Sequence, residues 1–204
     1  AFAQDGQYDP RFGNYLPGRT LYQPLADASE QAWAMAVMPD GRLVLASNPR
    51  VARLGASGVP DPTFRNGSFG AAGVFAVQPF GQQAGFLSPS AIVRQADGKL
   101  LIAGSAEGTD FRSRYVVCRT SADGVLDTAY GDGGCTAYTV EQGHVAYLTD
   151  AALDPAGGVV LAGYGYFTFG QKIVMVRLRP DGALDTGYGT NGRTVILRFD
   201  ELAG

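Results

Sequence analysis

Positive charge never clusters in this chain of 204 residues: its 16 lysines and arginines are scattered among 19 acidic residues, for a net charge of −3. Nucleic acids and anionic membrane surfaces are held by grouped Lys and Arg, so neither is expected as a partner. Charge of either sign is sparse, at 17% of residues against 46% hydrophobic, the balance of a folded domain and not of a solvated tail. No apolar run approaches the ~20 residues of a membrane helix, so no membrane insertion is expected. Histidine occurs once, at His144, and cysteine twice, at Cys118 and Cys135. A zinc site takes several such ligands, so neither a zinc site nor a cofactor is expected. Calcium on Asp181 and Asp185 stays open, although the Gly and Leu between them supply few oxygens. No Gly-x-Ser-x-Gly elbow is present, "AGSAEG" at Ala103 having the wrong spacing, and Gly163-Tyr164-Gly165 opens no helix as a dinucleotide fingerprint would. No window repeats its apolar residues every 3.6 positions, which removes the α-helix as a building block.

What the chain has is glycine, 29 residues of it, and a phrase that returns. "DGALDTGYGTNG" (Asp181–Gly192) nearly restates "DGVLDTAYGDGG" (Asp123–Gly134). Fainter versions begin at Asp5 ("DGQYDPRFGN") and Ser57 ("SGVPDPTFRNG"). The repeating unit is about 57–59 residues, and repeats of that length mean stacked supersecondary units. Each unit opens with a hairpin: "AVMPDGRLVLAS" from Ala36, "IVRQADGKLLIAGS" from Ile92 and "AALDPAGGVVLAGY" from Ala151. Asp-Gly between apolar runs predicts a type I′ turn with positive φ at both central residues. The second arms (Leu43–Ala46, Leu100–Ala103 and Val159–Ala162) are apolar on both faces, as strands between two layers are. A third strand follows at Arg50–Leu54, Arg114–Thr120 and Ile173–Leu178, and a fourth at Val74–Val77, Cys135–Val140 and Arg193–Leu197. Arg53, Arg119 and Arg177 each stand eight residues before the Asp of the recurring phrase (Asp61, Asp127, Asp185) and should pair with that turn. The aromatic three residues after the Asp (Phe12, Phe64, Tyr130, Tyr188) should plug the gap beneath.

Four antiparallel strands per unit with no helix between them predict an all-β fold: a β-propeller-like array of four-stranded blades. "DGKLLIAGS" and "ADGVLDTAYGDGG" also closely resemble the bacterial delta-60 repeat family, whose units look like propeller blades. The resemblance runs from about Asp5 to Leu197 and implies a fold without catalytic residues. The expected organisation is a single repeat domain over 1–204: residues 1–23 a leader and lone outer strand (Arg19–Tyr22), 24–80 blade one, 81–140 blade two and 141–204 blade three. Three blades are too few to close alone and would leave two apolar flanks open, so a homodimer of six blades is expected. A fragment of a longer chain, or an open stack capped by its ends, is the alternative.

Cys118 and Cys135 lie almost symmetrically about the turn near Leu126, so they should face each other on strands three and four of blade two and form a disulfide. That implies a secreted or periplasmic protein. Ala1-Phe2-Ala3 fits the tail of a secretory cleavage site, although an unrelated chain start fits the same three residues. Function should lie in the loops that break the repeat: Glu107, Asp110, Arg112 and Arg114 in blade two, Tyr164, Tyr166 and Phe167 in blade three, and His144 in the crossover between them. Aromatics beside such polar groups suit a glycan or a peptide. The same aromatics also fit a strand extension over the core or a patch meeting another subunit, and a lone His is ordinarily a loop residue. The expected function is a non-enzymatic exported binding module, the alternative being an assembly protein. Carboxylate pairs such as Glu107 with Asp110 suit a glycosidase only in principle.

Overall fold

Alternating apolar side chains and closely spaced Gly turns give three four-stranded sheets, each a simple antiparallel meander. The structure is a computed structural model and describes residues 9–13, 19, 32–47, 50–64, 74–76, 87–140, 145–167 and 170–196. The first sheet holds β1 (Ala34–Val37), β2 (Leu43–Ala46), β3 (Arg50–Leu54) and β4 (Val74–Ala76). The second holds β5 (Ser88–Arg94), β6 (Leu100–Glu107), β7 (Ser113–Thr120) and β8 (Cys135–Tyr138), and the third β9 (Ala146–Leu153), β10 (Val159–Phe167), β11 (Gly170–Leu178) and β12 (Arg193–Ile196). Within each sheet the strands lie in chain order. One sheet falls in each of the segments 24–80, 81–140 and 141–204.

The first hairpins differ from the type I′ expectation. Gly41, Gly98 and Gly157 have φ of 82°, 86° and 84°, while the residues before them keep negative φ. Gly41 N donates to Met38 O and Met38 N to Arg42 O, and the same pair of bonds recurs at Gln95–Lys99 and Asp154–Gly158. This is a three-residue loop, a type I turn closed by one left-handed glycine, and it needs positive φ at the glycine alone. That explains why Ala156 can stand before Gly157 in the third copy.

Strand periodicity decides where the core sits. Val44, Ala46 and Val51 of the first sheet pack with Leu100, Ile102, Val116 and Cys118 of the second. The alternate residues of the second sheet, Leu101, Ala103, Tyr115 and Val117, pack with Leu148, Val159, Leu161, Val174 and Val176 of the third. The middle sheet is thus covered on both faces, as its unbroken apolar strands require. The terminal sheets each keep one apolar face open, with Met35 and Val37 on the first and Tyr147, Tyr166, Ile173 and Ile196 on the third exposed. Cys118 pairs with Cys135 in the β7–β8 register and is disulfide-bonded to it. The same positions hold Ala52 opposite Val74 and Val176 opposite Arg193, so the bridge belongs to one sheet only.

Candidate functional site

At one end of every sheet the recurring phrase folds into the same turn. Asp127 accepts from the Ala129 amide, Asp61 from Thr63 and Asp185 from Gly187, an Asx turn made by a short side chain on its own backbone. Arg53, projecting from β3, lies fully buried between this turn and the next sheet. Its Nε donates to Asp61 Oδ2 at 2.8 Å, Nη2 to Thr63 Oγ1 at 3.0 Å, and Nη1 to Ala122 O at 2.7 Å and Asp123 Oδ1 at 2.8 Å. Arg119 repeats the arrangement with Asp127 (2.8 Å) and the Pro180 carbonyl (2.9 Å), and Arg177 pairs with Asp185 (2.7 Å). Each guanidinium sits 4.6–4.9 Å from the centre of the expected aromatic ring, Phe64, Tyr130 or Tyr188. Burial pushes the Asp61 carboxyl up, but hydrogen bonds from Thr63 and the Arg53 charge outweigh it and hold the group below the usual carboxylate range. The Lys99 ammonium and Arg119 do the same for Asp127. Arg53 and Arg119 are therefore committed to holding sheet to sheet, each through its own turn's Asp and the next sheet's carbonyl.

Three stretches of the chain, residues 39–64, 95–130 and 157–188, match the family model described as a domain of unknown function (DUF5122) beta-propeller. The units are β-propeller-type repeats. No curated protein matches the chain. Each match contains the Arg–Asp pair just described and also runs through the second and third strands and the turn between them.

The opposite end varies between blades. In blade two β6 runs on to Glu107 and β7 begins at Ser113, leaving Asp110 and Arg112 in the turn and Arg114 on the strand. Arg114 Nη2 donates to Asp110 Oδ2 at 2.6 Å and Nη1 to Oδ1 at 2.9 Å, which draws the Asp110 carboxyl down to about 2. This exposed pair orders the turn, at whose tip Phe111 stands 78% exposed in the left-handed region (φ 57°). Phe111 escaped the sequence reading because nothing in its neighbours' spacing marks an outward-facing aromatic. In blade three the segment read as a loop is strand: β10 extends through Tyr164 and Tyr166 to Phe167. Alternation then splits the three. Phe167 packs against the core between blades two and three, with the Lys172 ammonium 5.6 Å from its ring. Tyr164 and Tyr166 lie on the outer face with Tyr147 of β9, their ring centroids 5.2 Å (Tyr147–Tyr164) and 6.1 Å (Tyr164–Tyr166) apart. A groove of about 470 Å³ runs along this face, lined by Thr149, Ala162, Gly163, Tyr164, Gln171, Lys172 and Ile173. Where the blade-two and blade-three ends meet, Ser113 faces Tyr166 and Phe167 across a gap of about 10 Å³, barely the size of a water molecule. His144 lies outside the described residues.

Corresponding positions in blade two show what the tyrosine face replaces. Ser90 Oγ donates to Leu148 O at 2.8 Å, and Ser105 Oγ accepts from Leu148 N at 2.7 Å, a clasp of blade two on blade three. Counted from the hairpin glycine, the blade-three counterparts are Thr149 and Tyr164. Thr149 turns inward to its own blade's Ala162 carbonyl (3.0 Å), and Tyr164 opens outward. Among the described residues no three His, Cys, Asp or Glu side chains converge as metal ligands, and no helix is long and apolar enough to cross a membrane.

Proposed function

We propose that the protein is a non-enzymatic, exported β-propeller-type module that works by contact. The observation that carries this is the division of labour between the two ends of the blades. At the shared end Arg53 and Arg119 are tied up in locks between blades, whereas the varied end exposes the aromatics Phe111, Tyr147 and Tyr166 beside the polar Glu107, Asp110, Arg112 and Gln171. Tyr164, with Gln171, Lys172 and Thr149, lines one groove, and the rings of Tyr147 and Tyr166 stand beside it; ring faces and hydrogen-bonding groups together suit a glycan or an extended peptide. The disulfide supports export, because such bonds rarely persist in a reducing cytosol. A glycan array and a peptide library read against Y164A/Y166A test the reading. Loss of a bound signal with an unchanged melting temperature is the expected result. A wild-type protein that retains nothing from either library sinks the ligand.

A second reading, assembly, is favoured by the terminal faces. Ile173 is 52% exposed on blade three, whereas Tyr115, its counterpart in blade two, is 1% exposed beneath the neighbouring blade. Met35 is 57% exposed on blade one, whereas its counterpart Ile92 packs into the core. Side chains that are covered wherever a neighbouring blade exists are bare where none does, and they remain apolar.

A further inference from the structure

The N-terminal residues 9–13 repeat the lock turn in miniature. Phe12 N donates to Asp9 O as Tyr130 N does to Asp127 O. A Cβ on Gly13 would strike the Arg19 carbonyl, just as one on Gly131 would strike that of Cys135. Between blades two and three the turn is fastened by Gly131 N donating to Asp181 O at 2.9 Å. Gly13 N makes the same bond, at 2.6 Å, to Ser57 O, and Ser57 is the blade-one counterpart of Asp181. Residues 9–13 therefore sit on blade one where the closing turn of a preceding blade belongs.

Blade three presents the other half of this contact. Arg53 and Arg119 reach the equivalent carbonyls Ala122 O and Pro180 O of the next blade, and the matching carbonyl of blade one is that of Ala56. Among the described residues neither Arg177 nor the Gly189 amide is bonded to another blade's turn. At the opposite end, Tyr164 and Thr149 replace the serines that clasp Leu148, and the blade-one counterpart of Leu148 is Ala32, a smaller residue opposite a larger one.

We propose that blade three of one copy docks on blade one of a second copy, with the Gly189 amide taking the Ser57 carbonyl and Arg177 that of Ala56, and that residues 9–13 are a latch holding Ser57 until they are displaced. The proposal rests on the assembly reading, and its occupant follows from continuity with the two interfaces already inside the chain. An intramolecular latch competes at an effective concentration in the millimolar range, so it weakens self-association without abolishing it.

The test is sedimentation velocity across a dilution series on the full chain and on Gly13→Val and Phe12→Ala, with thermal melts to confirm folding. Both variants loosen the latch by different means, so one remains informative if the other misfolds. The dissociation constant of self-association is expected to fall at least ~10-fold in the variants. Adding R177A, or a peptide of residues 5–23 in trans, is expected to reverse the gain. Equal association of wild type and both variants overturns the latch while leaving assembly standing. Monomers throughout overturn both.

Discussion

Arg53 shows how much one side chain can hold. It is fully buried, touches two carboxylates and a neighbouring blade's carbonyl, and lies over Phe64. Removing a buried partner strands the charge opposite it, so R53A is expected to cost about 3–5 kcal/mol. R177A removes a guanidinium that is one-third exposed and is expected to cost about 1 kcal/mol. Thermal melts of the two variants check that order, and equal losses would contradict it. Tyr130 gives the opposite sign. Its hydroxyl is buried without a hydrogen-bond partner among the described residues, and the corresponding residue of blade one is already Phe64. Y130F is therefore expected to melt no lower than wild type, since an unpaired buried hydroxyl is a cost and not a bond.

The pH response belongs to the same scale. Asp61, Asp110 and Asp127 titrate below their ordinary 3.8 in the folded protein, so the folded state binds fewer protons than the unfolded chain in acid. Their contribution is fully present above the ordinary value and is lost as pH falls through the lowered ones, for Asp110 down to about 2. Melting temperature should hold level from neutral pH to about 5 and fall below about 4. A decline that is complete above that range would contradict the assignment.

At the scale of the element, the blade-two hairpin of β7 and β8 carries the disulfide. It closes a loop with a sequence separation of 17, for which the chain-entropy account gives roughly 3 kcal/mol. C118A/C135A, or reduction, should lower the melting temperature by about 6–12 °C while the fold persists, because the other two blades hold Ala52 with Val74 and Val176 with Arg193 at these positions. Gly163 belongs to this scale too. The register shift between Ala162 and Gly163 brings strand β9 so close that a Cβ would meet the Tyr147 carbonyl and the Tyr115 hydroxyl. G163A should therefore destabilise blade three and disturb the groove with it, read together as a lowered melt and loss of any Tyr164-dependent binding.

At the scale of the molecule, three blades in series leave two apolar faces. One carries Met35 and Val37 with the exposed Trp33 next to them; the other, around Tyr147, Tyr164 and Ile173, carries a groove. Exposed apolar faces of this kind favour association, and light scattering on the chain should show concentration-dependent mass above 21.4 kDa. A monomer that withstands every concentration contradicts assembly and leaves the groove to a ligand.

The sequence by itself determined four strands in each of three repeats, their order and the cysteine pairing. Period-two alternation, Gly turns and a fixed repeat are local signals, and the spacing of Cys118 and Cys135 about one turn sets their register. It also determined that Arg53, Arg119 and Arg177 serve the turn, because each lies a constant eight residues from its Asp. Only the tertiary structure decided that Arg53 and Arg119 reach across to the next blade, that the hairpin needs positive φ at its glycine alone and not at both central residues, and that Tyr164 and Tyr166 point away from Phe167. The β10 extension, which reads as loop because it breaks the repeat, is held as strand by its pairing with β9 and β11. The position of residues 9–13 on blade one was likewise beyond the sequence, since a turn's own residues specify its shape, and what it docks against is settled by the packing of blades distant in the chain.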